Sequence, residues 1–429
     1  MSPKPACGDM EAETKTQEEI EMTSIKTNGL NIFKQSCFSM ILLGMSLSIL
    51  SCDNADKNTA LNSLRLNNVY VGQRGFVDIS PVDSSAQQIA FCDYQGKLTI
   101  GYVDETHNIT VYTYNGAAWE KLDNTVPSSG NVPTLNPNPV SLVAINDELY
   151  VGYVENDPST TTSNKISYVV KKYSNSQWTS AGSTVTSISE PTALISAKMV
   201  GHNGRLFVAY SHQTFDVNIN VSKLKELVDD TWVEVIPSDF STEAAVSLDF
   251  TFNADTPTIA HSYGFIGIGI KSLQPTGWVE ELSDGVLFGY DLSLLVQNDI
   301  TRLSYSEYMP ENEYDRLKAY QKINGAWQEI NIPASTGYTV RTLLFEYQQE
   351  TYLAYIHYND NMDEDDQLLI SIAKLVDNQF ITGFEKSFPI HANCYNHNMF
   401  FLNGALYVGF YDYENQNKLS VIQISGFQP

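Results

Sequence analysis

The sequence predicts an all-β fold: a seven-bladed β-propeller of four-stranded antiparallel blades, closed by an N-terminal strand that completes the last blade. Three observations predict it. A small residue, an aromatic or histidine, any residue and a polar group recur seven times at the end of a β-type run. The copies are Gly101-Tyr102-Val103-Asp104, Gly152-Tyr153-Val154-Glu155, Ala209-Tyr210-Ser211-His212, Ala260-His261-Ser262-Tyr263, Ser304-Tyr305-Ser306-Glu307, Ala354-Tyr355-Ile356-His357 and Gly409-Phe410-Tyr411-Asp412. Their aromatic positions stand 51, 57, 51, 44, 50 and 55 residues apart, a period that fits one small antiparallel sheet per copy. Each copy divides into four runs separated by turns, and no helical periodicity interrupts the body.

Within a copy, the apolar run upstream of the motif ends in a turn whose residues tolerate the positive φ of tight hairpins. Asn146-Asp147, Asn203-Gly204, Asn298-Asp299 and Asn403-Gly404 are examples, and they mark the first-to-second strand connection. A polar loop of variable length follows the motif, then a third run such as Ile109-Thr110-Val111-Tyr112. A second short turn closes on an aromatic that opens the fourth strand: Trp119, Trp178, Trp232, Trp278, Trp327 and Phe380.

Copy seven runs out after its third strand, which ends near Ile424. The missing strand is expected at the other end of the chain. Phe76-Val77-Asp78-Ile79-Ser80-Pro81-Val82-Asp83 reads like the fourth strand Trp232-Val233-Glu234-Val235-Ile236-Pro237-Ser238-Asp239. Such a clasp leaves no open edge between the first and last blades. The propeller is assigned to residues 66–429.

Both faces of a blade press on neighbouring blades, so both can be apolar. The Gly, Ala or Ser column marks where sheets come closest, and the aromatic column beside it belongs to the same packing. His261, standing where other copies carry Tyr or Phe, is expected as a core histidine.

The first fifty residues carry an address. Lys26 and Lys34 precede a 13-residue apolar stretch, Phe38 to Leu50, which is short for a bilayer span and has the flanks of a secretory signal. With Ile49-Leu50-Ser51-Cys52 at its end, the stretch resembles a bacterial lipoprotein signal peptide. The resemblance implies residues 1–51 as extension and signal, Cys52 as the lipid-attachment residue, and 52–65 as a polar tether. Residues 1–21 are acidic and Met22 is an alternative start. Cys92 and Cys394 then remain; aligned by motif they lie at different levels of their strands, too far apart for a disulfide.

Formal charge is −25, with 50 acidic against 25 basic residues. That opposes nucleic acid and anionic membrane surfaces as partners and is compatible with neutral sugars, cations or a basic protein. No cofactor is expected. Calcium at the acidic loop 359–366 is an alternative, but the loop lacks the Asp-x-Asp-x-Asp-Gly order and reads as a solvated charge run. His391, Cys394 and His397 have metal-ligand chemistry without a fourth partner in sequence, so no metal is assigned.

Loop lengths place a site. First-to-second and third-to-fourth turns are uniformly tight, whereas the second-to-third loops and the interblade connections on the other face vary widely, and variable loops on a rigid scaffold are where binding resides. The motif-end residues Asp104, Glu155, His212, Tyr263, Glu307, His357 and Asp412 should ring that face, open to solvent, and are the ligand-binding candidates together with Arg341. Counting back 14 residues from each motif aromatic gives the start of the innermost strand: Gln88, Pro139, Ser196, Ser247, Asp291, Arg341 and Asn396. Asp291, Arg341 and His397 should therefore crowd the channel mouth on blades five to seven. With His357 they are the catalytic candidates if the protein is an enzyme.

The body resembles sialidase-like and carbohydrate-binding propellers that bacteria of the Bacteroidota display as surface lipoproteins. Asp boxes of the sialidase form Ser-x-Asp-x-Gly-x-x-Trp are incomplete here, Gly116-Ala117-Ala118-Trp119 keeping only the last half. Of six arginines only Arg341 falls where a sialidase needs three, which argues against that activity. The resemblance speaks for fold and not for activity. The sequence is read as a monomeric protein of the cell envelope, anchored at the outer membrane through its lipid only, that binds a glycan or protein without catalysis. The alternative is a polysaccharide-cleaving enzyme, a lyase or glycosidase; a scaffold subunit is a third reading.

Overall fold

The computed structural model describes residues 76–78 and 88–425, apart from 105, 123–125, 127–139, 157–165, 189–193, 215–218, 236–238, 242–244, 264–266, 285–288, 310–313, 333–338, 359–367, 388–393 and 413–417. The chain divides into two units, 1–57 and 58–429, and every described residue belongs to the second. Cys52, the apolar stretch, the tether, His391 and the acidic loop 359–366 lie outside the described residues.

Among the described residues the chain forms strands and turns only, arranged as seven antiparallel sheets in sequence order. Blade one comprises β2 (Ile89–Tyr94), β3 (Lys97–Val103), β4 (Ile109–Tyr114) and β5 (Trp119–Lys121). Blade two comprises β6 (Ser141–Ile145), β7 (Glu148–Asn156), β8 (Ile166–Ser174), β9 (Gln177–Ser180) and β10 (Thr186–Ile188). Blade three holds β11 (Leu194–His202) to β14 (Thr231–Glu234), and blade four holds β15 (Ala245–Asn253) to β18 (Gly277–Asp284). Blade five is β19 (Gly289–Gln297), β20 (Ile300–Met309), β21 (Tyr314–Ile323) and β22 (Ala326–Glu329). Blade six is β23 (Thr339–Tyr347), β24 (Glu350–Tyr358), β25 (Leu368–Val376) and β26 (Gln379–Ser387).

Blade seven, β27 (Cys394–Leu402), β28 (Ala405–Asp412) and β29 (Lys418–Ser425), is completed by β1 (Phe76–Asp78). The pairs Phe76↔Ile424, Val77↔Gln423 and Asp78↔Ile422 are the N-terminal clasp. One departure from the four-strand plan occurs in blade two. Its outer strand breaks at Ala181 to Val185, so β9 and β10 both pair with β8, while Ala181 N and Val185 N still donate to Val170 O and Tyr168 O, each at 3.0 Å.

The tight turns at Asn146-Asp147, with φ of 50° and 62°, and at Asn298-Asp299, with φ of 50° and 60°, are of the primed type. The turns touch around the channel. Tyr94 donates to Asp147 O at 3.3 Å, Asn146 Nδ2 to Gly204 O at 3.3 Å, and Asn203 Nδ2 to Asp255 Oδ1 at 2.8 Å.

Buried side chains gather into seven clusters, and each cluster lies between two adjacent blades. The small-residue column explains how the sheets come so close. A Cβ on Gly101 would stand 3.1 Å from Leu142 of blade two, one on Gly409 would stand 2.6 Å from Phe91 of blade one, and one on Gly152 would meet Tyr168 and Met199. His261 is fully buried against the edge of Phe240, and burial pushes its imidazole down to about 3.

A second column was not foreseen. The innermost strand has one edge facing the channel, and its backbone N–H groups need partners there. Ala90, Ser141, Lys198, Asp249, Ser293, Leu343 and Asn398 each face the small residue of their blade's motif. Five of the seven are polar, and they link successive blades. Ser141 Oγ accepts from Met199 N at 3.1 Å, Asp249 Oδ2 from Leu294 N at 2.7 Å, and Ser293 Oγ from Leu344 N at 2.9 Å. Lys198 pairs with Asp249 at 3.2 Å, and Asn398 Nδ2 donates to Ile89 O at 2.7 Å, joining blade seven to blade one.

Candidate functional site

The loop-rich end of the channel is shaped by β-bulges in four consecutive innermost strands. Register slips between Ala245 and Leu248, Tyr290 and Ser293, Thr339 and Arg341, and Tyr395 and Asn398. In blade three the pairing runs without a slip from Leu194↔Gln213 to His202↔Arg205. A bulge puts two residues opposite one, bends the strand and re-aims a side chain. Asp291, Arg341 and His397 stand in these bulges or at their edge. Asp291 holds φ at 53°, a left-handed conformation that Asp accepts more readily than most residues.

The bulges bring the first two together. Arg341 Nη1 donates to Asp291 Oδ1 at 2.8 Å, with the Asp291 side chain 19 % and the Arg341 side chain 35 % exposed. Thr342 Oγ1 donates to Asp291 O at 3.1 Å and lies 2.9 Å from Ser304 Oγ; its one proton leaves Ser304 as donor in the second bond. Burial pushes the Asp291 carboxyl above the usual carboxylate range, and the Arg341 guanidinium opposes that shift. His397 packs near Phe410, with ring centroids 6.5 Å apart. Burial first, and Arg341 second, lower its imidazole to about 4, so it is neutral at pH 7.

The same end of blades five to seven leaves polar atoms unanswered. Ser306 Oγ, Thr339 Oγ1 and His397 Nε2 are buried without a hydrogen-bond partner. Sequence reasoning missed Ser306 and Thr339. Ser306 is the third residue of a motif, a position held by Ser in three consecutive copies and by Val, Ile or Tyr in the others, and Thr339 opens its strand next to a connection of variable length.

Among the described motif-end residues, two are not open to solvent as expected. Glu155 and His357 are only 5 % and 3 % exposed. The reason is that these two strand ends still sit between blades. His357 Nε2 lies 3.0 Å from Ser371 Oγ, and its ring packs on Tyr355. Asp104 is spent on its own turn: Oδ1 accepts from Thr106 N, Thr106 Oγ1 and Asn108 N at 2.9, 2.7 and 3.0 Å, and Oδ2 from Thr110 Oγ1 at 3.1 Å. His212 lies 3.4 Å from Thr186 Oγ1, and burial lowers it to about 4. Glu307 faces Lys318 at 4.0 Å. Tyr263 and Asp412 close β16 (Thr256–Tyr263) and β28, their side chains lying outside the described residues. Cys92 is buried and free. Among the described residues no group of three or more His, Cys, Asp or Glu is placed to hold a metal ion.

No protein-family model matches the sequence, and no curated protein does either. Solved structures similar to the chain include the polysaccharide lyase Uly1, 11 % identical over 85 % of this chain and 95 % of that one, with a TM-score of 0.49. An α-L-arabinanase from Penicillium chrysogenum complexed with arabinobiose is 11 % identical over 82 % and 98 %, with a TM-score of 0.48. The six-bladed fucose-recognising lectin of Aleuria aurantia is 11 % identical over 74 % and 99 %, with a TM-score of 0.45. These are likenesses of fold, and no site residue is carried over from them.

Proposed function

We propose that the protein is a lipid-anchored propeller of the cell envelope that binds a glycan at the loop-rich mouth of blades five to seven. One observation carries the reading: buried Ser306 Oγ, Thr339 Oγ1 and His397 Nε2 lack partners at the end where Arg341 and Asp291 pair. Buried polar groups without partners cost free energy, and a polyhydroxylated ligand supplies donors and acceptors together. The charge balance supports a neutral sugar, since Asp291 already offsets Arg341 and the whole chain is acidic. Anchoring through Cys52 rests on Ile49-Leu50-Ser51-Cys52 after the apolar stretch.

Titration of the purified propeller with a panel of neutral oligosaccharides, read by calorimetry, tests the site. A hit should weaken about 10-fold in Thr339→Val and in Ser306→Ala, one hydrogen bond to each hydroxyl being at stake. Unchanged affinity in both variants places binding elsewhere. A second reading, cleavage of an acidic polysaccharide, is favoured by His397, which burial and Arg341 keep as a neutral base. Ultraviolet absorbance of an unsaturated product, lost in His397→Ala, would establish that reading in place of binding alone.

A further inference from the structure

On the tight-turn face, opposite the mouth, three side chains from two adjacent blades converge. The hairpin of blade three between β11 and β12 (Arg205–Thr214) turns at Asn203-Gly204, with φ of 49° and 73°, and presents His202 and Asn203. The turn between β15 and β16 of blade four presents Asp255. His202 Nε2 lies 3.1 Å from Asp255 Oδ1 and 3.0 Å from the Asn203 amide nitrogen, which lies 2.8 Å from the same carboxylate oxygen. The three atoms form a nearly equilateral triangle. It is open to solvent: Asn203 is exposed, and the Asp255 and His202 side chains are 87 % and 22 % exposed.

Hydrogen bonding alone does not satisfy this triangle. A carboxylate oxygen only accepts, so both nitrogens must donate to it, and the His202–Asn203 edge then sets donor against donor. With the imidazole proton on Nδ1 that edge becomes a bond, but Nε2 then turns its lone pair on the carboxylate. The ring is nevertheless held in place, stacked on Phe252 with centroids 4.0 Å apart and planes 7° apart. Asn203 Oδ1 makes no hydrogen bond among the described residues, so the amide can turn over and present its oxygen at the same point. All three atoms then offer lone pairs to one centre.

Their spacing selects the kind of ion. Ligands on one face of an octahedron with bonds of about 2.1 Å stand about 3.0 Å apart. A tetrahedral ion with the same bonds, or calcium with bonds of about 2.4 Å, needs about 3.4 Å. The observed edges of 3.1, 3.0 and 2.8 Å fit the small octahedral ion. An imidazole among the ligands favours a first-row transition metal over magnesium. Arg205 feels the Asp255 charge, but Glu226 already holds its guanidinium through two donors and offsets it.

We propose that His202, Asn203 and Asp255 form a surface site for an octahedral first-row divalent cation, the three side chains taking one face and water the other. The ion resolves the unsatisfied edge and ties the hairpins of blades three and four together.

Calorimetric titration of the full, untagged chain with nickel chloride at neutral pH tests it. One equivalent should bind, and His202→Phe, which keeps an aromatic ring on Phe252, should abolish that site. Asn203→Asp, which adds a second carboxylate and tolerates the positive φ of the turn, should tighten it about 10-fold, a gain that misfolding does not mimic. Calcium chloride at equal concentration should not compete. Absence of binding overturns the proposal, as does an equivalent that persists in His202→Phe. Affinity in Asn203→Asp no higher than in the unaltered protein, or competition by calcium, overturns it too.

Discussion

Gly152 shows most directly how one residue type serves blade packing. A Cβ there would run into Tyr168 of its own blade and Met199 of the next, both fully buried, so neither can yield without opening an interblade cluster. Gly152→Ala should cost about 1–3 kcal/mol, the usual price of overpacking. Gly383, with nothing within 4 Å of an added Cβ, is the control, and Gly383→Ala should leave the urea midpoint in place. Equal midpoints for the two variants would sink the packing account. The small column was legible because seven copies repeat it. The belt opposite was not, since Ser141, Lys198, Asp249, Ser293 and Asn398 share a location and not a residue type. Each stands eleven residues before the small residue it faces, and that fixed offset is the signal that finds it.

Among the elements, the hairpins and the clasp could be read from sequence, whereas the bulges could not. A hairpin announces itself through turn residues such as Asn298-Asp299, and the clasp through a strand that repeats another. A bulge is a one-residue slip, and in blade five the residue taking positive φ is Asp291, where a glycine would have marked it. Counting back from the motif reached the bulged residues but could not show that the slip turns Asp291 and Arg341 toward each other, or that burial holds His397 neutral. The clasp carries a prediction at this scale. Removing residues 1–80 deletes β1 and leaves β29 as an unpaired edge beside blade one. The loss of about three backbone hydrogen bonds should lower stability by about 3 kcal/mol. The bared edge should give concentration-dependent dimers by size exclusion. A truncated protein that stays monomeric with an unchanged midpoint would show that β29 closes the ring alone.

For the whole molecule, acid should weaken the fold even as it relieves a charge of −25. His212, His261 and His397 are lowered to about 4, 3 and 4 by burial. A histidine whose folded pKa lies below its unfolded value of about 6.5 is neutral in both states at higher pH and has no effect there. As pH falls below about 6.5 the unfolded chain takes up a proton that the folded chain refuses, so stability falls until the folded pKa is reached. Each group contributes at most about 1.4 kcal/mol per pH unit, so three set an upper limit of about 4. Relief of self-repulsion runs the other way but waits for the carboxylates, which protonate mainly near pH 4. Between about pH 6.5 and pH 5 the histidines should therefore win. Urea midpoints measured across that window should fall steadily, and His261→Phe, which places in blade four the ring that Phe410 provides in blade seven, should reduce the slope by about a third. A flat or rising profile would mean that these side chains gain their protons inside the fold. An unchanged slope in His261→Phe would mean that His261 plays no part in the fall.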